Sequence, residues 1–199
     1  FSMIFTACHP LILASASPRR RQFLQQLGLE FQSIAAHIDE TPFPGERPEA
    51  FAVRMAVDKA NSIAVQHPEA CVIGADTVVA LSNTIFGKPA SKAEALTILQ
   101  QLRDQTHRVV TGCAVALHRQ GINEAVAEAT LVTFDHFDDP ILSAYVNSGD
   151  PLDKAGAYGI QGKGTFLVRS ITGSYSNVVG LPVNQLVRLL LKHHLIQAG

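Results

Sequence analysis

A chain of 199 residues, 47% hydrophobic and 17% charged, holds enough apolar material for a sizeable core in one large domain or two close lobes. Its formal net charge is -1, and no basic stripe stands out. That excludes a general nucleic-acid binder and leaves any phosphate chemistry to a few placed cations. No apolar stretch reaches the roughly 18 residues that cross a bilayer. The first residues lack the basic segment and long apolar core of a secretory signal, so a cytoplasmic globular protein with no membrane partner is expected. Phe1-Ser2 ahead of Met3 reads as a cloning remnant, which leaves a single domain over residues 3–199.

Residues 10–15 read as a short apolar strand. A helix follows at about 17–27, with Ser17 as N-cap, Pro18 at the first helical position and Phe23, Leu24 and Leu27 as the buried stripe. A strand is expected over Phe31 to Ala36, then a Pro- and Gly-rich loop over 41–48. From Pro48 to His67 the pattern is helical, with Phe51, Met55 and Ile63 facing inward. Cys71 to Leu81 is an apolar strand interrupted by Gly74 and Asp76, and Phe86-Gly87-Lys88-Pro89 is a loop. Ser91-Lys-Ala-Glu94 makes a capping box for a helix ending near Arg103. Strands over about 107–118 and 124–135 flank a turn at Gln120-Gly121. A helix over Asp139 to Asn147, a glycine-dense stretch over 149–164, a strand near 165–171 and a helix from Pro182 to His194 complete the chain. Strands and helices mix without strict alternation, so the expected class is α/β with a mixed central sheet and flanking helices.

Chemistry concentrates at a few places. Ser15-Ala-Ser-Pro-Arg-Arg-Arg21 spans a strand-to-helix junction, where free backbone N–H groups and the helix dipole favour an anion. Cations at that end cost roughly 0.3–1 kcal/mol each, so three arginines imply a negative partner. Arg19 is placed to face the loop and grip phosphate oxygens. Asp76, among strong β-formers in Gly74-Ala-Asp76-Thr77, needs a metal ion or a cation if it is buried. Mg²⁺ takes one or two carboxylates plus phosphate oxygens and water; Asp76 with Glu40 supplies such a pair, and Asp39 is the weaker alternative. Lys59 on the long helix and Lys88 in the rigid Gly87-Lys88-Pro89 loop are candidate phosphate contacts, although Lys88 belongs to no P-loop pattern. In Asp150-Pro-Leu-Asp153-Lys154-Ala-Gly-Ala-Tyr158-Gly-Ile-Gln161-Gly, Gln161 carries both a donor and an acceptor for a base edge. Tyr158 can stack or pack, and Asp153 and Lys154 can simply pair. Each motif taken singly also fits a structural turn or a surface charge. The eight histidines show no zinc-ligand spacing, and Cys8, Cys71 and Cys113 form no CxxC and are expected to stay reduced.

Taken in order, Ser15-Ala-Ser-Pro-Arg-Arg, Ile38-Asp-Glu40, Lys59-Ala, Gly74-Ala-Asp76-Thr77, Gly87-Lys-Pro, the Asp150–Gly162 block and Asn177-Val-Val-Gly-Leu-Pro closely resemble the Maf family of nucleotide pyrophosphatases over about residues 10–195. The resemblance implies two lobes around a deep cleft, an architecture related to inosine-triphosphate pyrophosphatases, and hydrolysis between the α and β phosphates. It implies that Asp76 is the proton acceptor and that Arg19, Thr77 and Gln161 set specificity, with the wording around Gln161 resembling the branch that acts on dTTP and UTP. Ser15, Arg19, Lys59 and Lys88 are then substrate contacts, and Glu40 and Asp76 hold the divalent ion, Mg²⁺ first and Mn²⁺ or Co²⁺ as alternatives. A homodimer is implied by the family alone. An inosine- or xanthosine-triphosphate pyrophosphatase and a non-catalytic, nucleotide-binding regulator of cell division are the competing readings.

Overall fold

The computed structural model describes residues 4–199, so the expected remnant at Phe1-Ser2 lies outside the described residues. The chain runs through β1 (Phe5–Ala7), β2 (Leu11–Leu13), α1 (Pro18–Gln26), β3 (Gln32–Ser33), α2 (Pro48–Ala64), β4 (Cys71–Leu81) and β5 (Thr84–Phe86). It continues through α3 (Lys92–Leu102), β6 (Thr106–Leu117), β7 (Ile122–Phe134), α4 (Asp139–Asn147), β8 (Val168–Thr172), α5 (Tyr175–Val179), α6 (Val183–Lys192) and β9 (Ile196–Ala198). The expected strand near 165–171 begins later, because Gly162–Leu167 winds as a 3-10 turn. The expected strand over Phe31–Ala36 shrinks to the two residues of β3.

A seven-stranded sheet has the hydrogen-bonded order β3-β2-β4-β6-β7-β8, with β5 on β4. β2 runs parallel to β3 and β4, whereas β5 is antiparallel to β4 and β8 antiparallel to β7. The sheet is therefore mixed, with helices around it, as the lack of strict alternation implies. β1 and β9 form a separate antiparallel pair. The chain divides into two compact units. The first takes the chain up to Asp76, then Thr111–Glu128 and Gly180–Gly199; the second takes Thr77–Val110 and Ala129–Val179.

In the first unit, successive side chains of β4 point to opposite faces. Cys71, Ile73 and Ala75 pack with Leu24 of α1 and Leu186, Leu189 and Leu190 of α6. Val72 packs on the other face with Ala56, Ala60 and Ile63 of α2. The same period places Gly74 and Asp76 on the α2 side. A methyl group at Gly74 would lie 2.1 Å from the Ala56 carbonyl oxygen, and one at Gly112 of β6 would lie 2.1 Å from that of Ala52. These two glycines, facing an alanine row at four-residue spacing, let α2 approach the strands at backbone distance. That approach is what brings Lys59 of α2 level with Asp76.

The second unit has its own core, built from Val79, Phe86, Leu99, Leu102, Val109, Phe134, Leu142, Tyr158 and neighbours. α3 starts at the expected capping box. Ser91 Oγ accepts from the Glu94 N–H at 3.1 Å, and Glu94 Oε2 accepts from the Ala90 N–H at 2.7 Å, one residue ahead of the cap. Such a cap is worth about 1 kcal/mol.

Candidate active site

β2 ends at Leu13 and α1 begins at Pro18, so the Ser15–Ser17 link lies directly before a helix N-terminus. Ser17 caps α1, its hydroxyl accepting from the Arg20 N–H at 3.5 Å. Ser15 is buried. Its Oγ accepts from the Ser17 N–H and from Arg20 Nη1, both at 3.2 Å, and its carbonyl accepts from Ser33 Oγ at 2.6 Å. Arg20 Nε donates to the Gly180 carbonyl at 2.7 Å. Gly180 has φ +124, a backbone conformation that suits glycine. Burial pulls the Arg20 pKa below its ordinary value, with Arg19 adding to the shift and Asp76, Cys113 and Glu40 opposing it. Arg20 therefore shares a neighbourhood with both candidate metal-binding carboxylates.

The sequence reading singles out Arg19, and the structure adds Arg20 as the arginine turned inward and tied down. Arg19 stays half-exposed, and its guanidinium has no protein hydrogen bond among the described residues. A locating signal for Arg20 was present in the Asn177-Val-Val-Gly180-Leu-Pro stretch, whose glycine supplies the carbonyl, but only the fold connects the two.

The charge centre of this unit is Lys59. Its Nζ donates to Asp76 Oδ1 at 2.7 Å and lies 2.6 Å from Glu40 Oε1. The Lys59 and Asp76 side chains are only 10% and 14% exposed, while Glu40 is 55% exposed. Two carboxylates face one ammonium, so the trio carries a net negative charge. Removing the lysine would leave the largely buried Asp76 uncompensated, a change that typically costs several kcal/mol. Asp39, the weaker metal candidate, is used locally: its Oδ1 accepts from the Thr41 N–H at 2.9 Å and from Thr41 Oγ1 at 2.6 Å. Those bonds hold its pKa below the usual carboxylate value.

Glu40 reaches Lys59 because the segment after it is clamped to α2. Arg54 donates from Nε and Nη2 to the two oxygens of Glu46, at 2.7 and 2.6 Å, and from Nη2 to the Thr41 carbonyl at 3.1 Å. Its guanidinium lies 4.0 Å from the centre of the Phe43 ring, and Glu46 Oε2 accepts from the Phe43 N–H at 2.9 Å. Bidentate pairing and ring stacking are the two contacts that arginine makes and lysine cannot reproduce.

In the second unit, Thr77 follows Asp76 along β4 and is half-buried. Lys88 is exposed just past β5 and has no protein partner among the described residues. Its loop is anchored by buried Pro89 and by the Gly156 N–H, which donates to the Gly87 carbonyl at 3.0 Å. Gly156 has φ +68, and a methyl group there would lie 2.6 Å from Val79 Cγ2. Lys154 pairs with Asp153 at 2.6 Å and with Asp150 at 3.4 Å. Tyr158 packs rather than stacks on a ligand: it is buried, and its hydroxyl lies 2.8 Å from His107 Nε2. The Gln161 amide has no protein hydrogen bond among the described residues. Among the described residues, no three His, Cys, Asp or Glu side chains gather as a metal cage, and no helix is long and apolar enough to cross a membrane.

The fold defines a class first. It resembles the solved structure of a HAM1 protein from Coxiella burnetii, with a TM-score of 0.51 over 92% of this chain and 99% of that one at 17% identity, a likeness of fold alone. The family model for Maf-like proteins matches residues 10–193, and the chain belongs to the Maf family. It is 51% identical to a dTTP/UTP pyrophosphatase of Nitratidesulfovibrio vulgaris, over 94% of this chain and 90% of that protein. The dTTP/UTP pyrophosphatase of Desulfotalea psychrophila is 49% identical over 94% and 96%, and that of Myxococcus xanthus 51% over 90% and 90%.

Proposed function

We propose that this chain is a nucleoside triphosphate pyrophosphatase that cleaves dTTP and UTP to the monophosphate and pyrophosphate. The observation that carries the reading is the trio of Glu40, Lys59 and Asp76 beside the α1 N-terminus and Arg20, in a chain about half identical to dTTP/UTP pyrophosphatases over most of its length. Arg19 and Arg20 offset phosphate charge at the helix terminus, where backbone N–H groups also face an anion. Lys59 holds one oxygen of Asp76 and fixes the orientation of its carboxylate. The other Asp76 oxygen takes the proton of the attacking water as that water bonds to the α-phosphorus. The bond from the α-phosphorus to its bridging oxygen then breaks, and pyrophosphate leaves.

The residues present suit a divalent ion, since Glu40 and Asp76 are two oxygen ligands of the kind Mg²⁺ prefers alongside phosphate oxygens and water. When bound, such an ion neutralises polyphosphate charge and polarises the reacting phosphoryl group. Mg²⁺ is our choice over Mn²⁺ or Co²⁺. Ser15, a substrate contact in the family motif, is given the role of holding Arg20 in place. Lys88 is assigned a phosphate contact, and Thr77 and Gln161 substrate choice, on the family motifs alone. The same family resemblance is our basis for a homodimer, and the free, buried Cys71 and Cys113 are our basis for a cytoplasmic location.

The test is pyrophosphate release with Mg²⁺ from dTTP, UTP, CTP, GTP, ITP and XTP, run beside Asp76→Asn. The expected result is fastest release from dTTP and UTP, with turnover abolished and the fold retained in the variant. Faster release from ITP or XTP, or near-normal turnover by Asp76→Asn, would overturn the assignment.

A further inference from the structure

The stretch Tyr158–Thr165 is braced on both sides of Gln161, the residue that faces a ligand in the proposed function. The Tyr158 hydroxyl meets His107 Nε2 at 2.8 Å. The Tyr145 hydroxyl donates to Asp150 Oδ2 at 2.9 Å, and a methyl group at Gly164 would lie 2.5 Å from its oxygen and 2.6 Å from the Gly159 carbonyl. Thr165 Oγ1 lies 2.9 Å from the Ile160 carbonyl and 2.7 Å from the Gly162 carbonyl. A methyl group at Gly159 would lie 2.9 Å from the Lys154 side chain and 3.3 Å from the Gln161 carbonyl. Backbone on both sides of Gln161 is thus held by side chains, and the Gln161 amide itself is left without a protein partner among the described residues.

At the base of this frame sits His107, only 1% exposed in β6. Its ring meets those of Phe134 and Tyr158 edge-on, with centroids 4.8 and 5.4 Å away, and Phe134 and Tyr158 are themselves 4.6 Å apart and edge-on. Its Nδ1 is buried with no hydrogen-bond partner. A phenylalanine would fill such an aromatic site without leaving an unsatisfied nitrogen, so packing does not explain an imidazole here. What the imidazole adds is a fixed partner for the Tyr158 hydroxyl.

We infer that His107 and Tyr158 form a positioning pair that sets base selectivity by holding the backbone from which Gln161 presents its amide. A glutamine amide matches the O4 and N3–H of uracil or thymine in one orientation and cytosine in the flipped one. Selectivity therefore depends on how tightly the surroundings hold the residue. This inference rests on the proposed reading of Gln161 as the base contact and extends it to residues that do not touch the nucleotide.

The experiment compares kcat and KM for UTP and CTP in the wild-type chain and in Gln161→Ala, Tyr158→Phe and His107→Phe, with circular dichroism as the check on folding. Tyr158→Phe removes only the hydroxyl, so its UTP-over-CTP preference should fall roughly five- to tenfold, the scale of one buried hydrogen bond. The change should appear mainly in KM, with kcat on UTP within about threefold. His107→Phe should match it, and the double variant should lose no more than either single one. If Gln161→Ala flattens the preference while Tyr158→Phe and His107→Phe keep it, the positioning role is overturned and the base-reading role stands. If Gln161→Ala leaves the preference unchanged, base reading fails and the inference with it. Should Tyr158→Phe not fold, His107→Phe decides by the same criterion; should neither fold, the pair is a structural element and the inference is rejected.

Discussion

Lys59 faces two carboxylates at once, and its place on α2 decides how the first unit treats charge. A surface lysine would contribute little to stability through such contacts, because solvent screens exposed pairs. Here the ammonium and Asp76 are mostly covered, so the pairing orients both. His107 shows the opposite use of burial. Desolvation lowers its pKa from the ordinary 6.5 to about 4. The folded protein therefore keeps it neutral where the unfolded chain takes up a proton, so its contribution is complete above about pH 6.5 and is lost as pH falls towards 4. Exposed His136, held charged by Asp104 and Asp138, has its pKa raised and acts in the reverse sense, losing its contribution as pH rises. Urea unfolding from pH 7 to 4 should show a shallower acid loss in His107→Gln than in the wild type; parallel curves would contradict this.

Legibility in the sequence also divides at this scale. Asp76 stands out because a carboxylate among strong β-formers needs a metal ion or a cation; the fold places Lys59, expected from the sequence as a phosphate contact, 2.7 Å from it, with Glu40 on the same ammonium. Arg20 was not singled out over Arg19, because the choice depends on the rotation of α1 against a carbonyl 160 residues away. His107 carried no signal of its own, since its partner Tyr158 lies on another element and neither forms a local pattern.

Among the elements, long ones are legible in the sequence and short ones are not, for a physical reason. α2 and α3 repeat apolar residues at helical spacing, α3 with its Ser91 cap as well, and β4 is a long apolar run. β1 and β9 are three residues each, and their pairing of Phe5 with Ala198 joins opposite ends of the chain, which no local window contains. Gly162–Leu167 includes β-forming residues that favour a strand, yet its glycines and the Thr165 hydroxyl bonds wind it as a 3-10 turn. The close approach of α2 leads to a sharp expectation for Gly74→Ala. Its new methyl would meet a backbone oxygen at 2.1 Å, and overpacking of this kind costs about 1–3 kcal/mol or more. Because Lys59 rides on the same helix, Tm and turnover should fall together; wild-type values in both would refute the packing account. Arg54→Ala should act on the neighbouring segment. Hydrogen exchange across residues 39–47 should accelerate while the α2 core stays protected, and turnover should drop as Glu40 loses its place. Unchanged exchange there would show that the Arg54–Glu46 clamp is not what holds the segment.

For the whole molecule, family membership and physical chemistry meet at one reaction. Net charge near zero offers no broad field for a polyanion, so a few placed cations and the α1 N-terminus must meet the triphosphate. In the proposed function, Asp76 directs the attacking water to the α-phosphorus. Hydrolysis of UTP in ¹⁸O-enriched water reports that directly. The account predicts a uridine monophosphate carrying one solvent oxygen and an unlabelled pyrophosphate; label in the pyrophosphate, or release of orthophosphate with a diphosphate product, would contradict it.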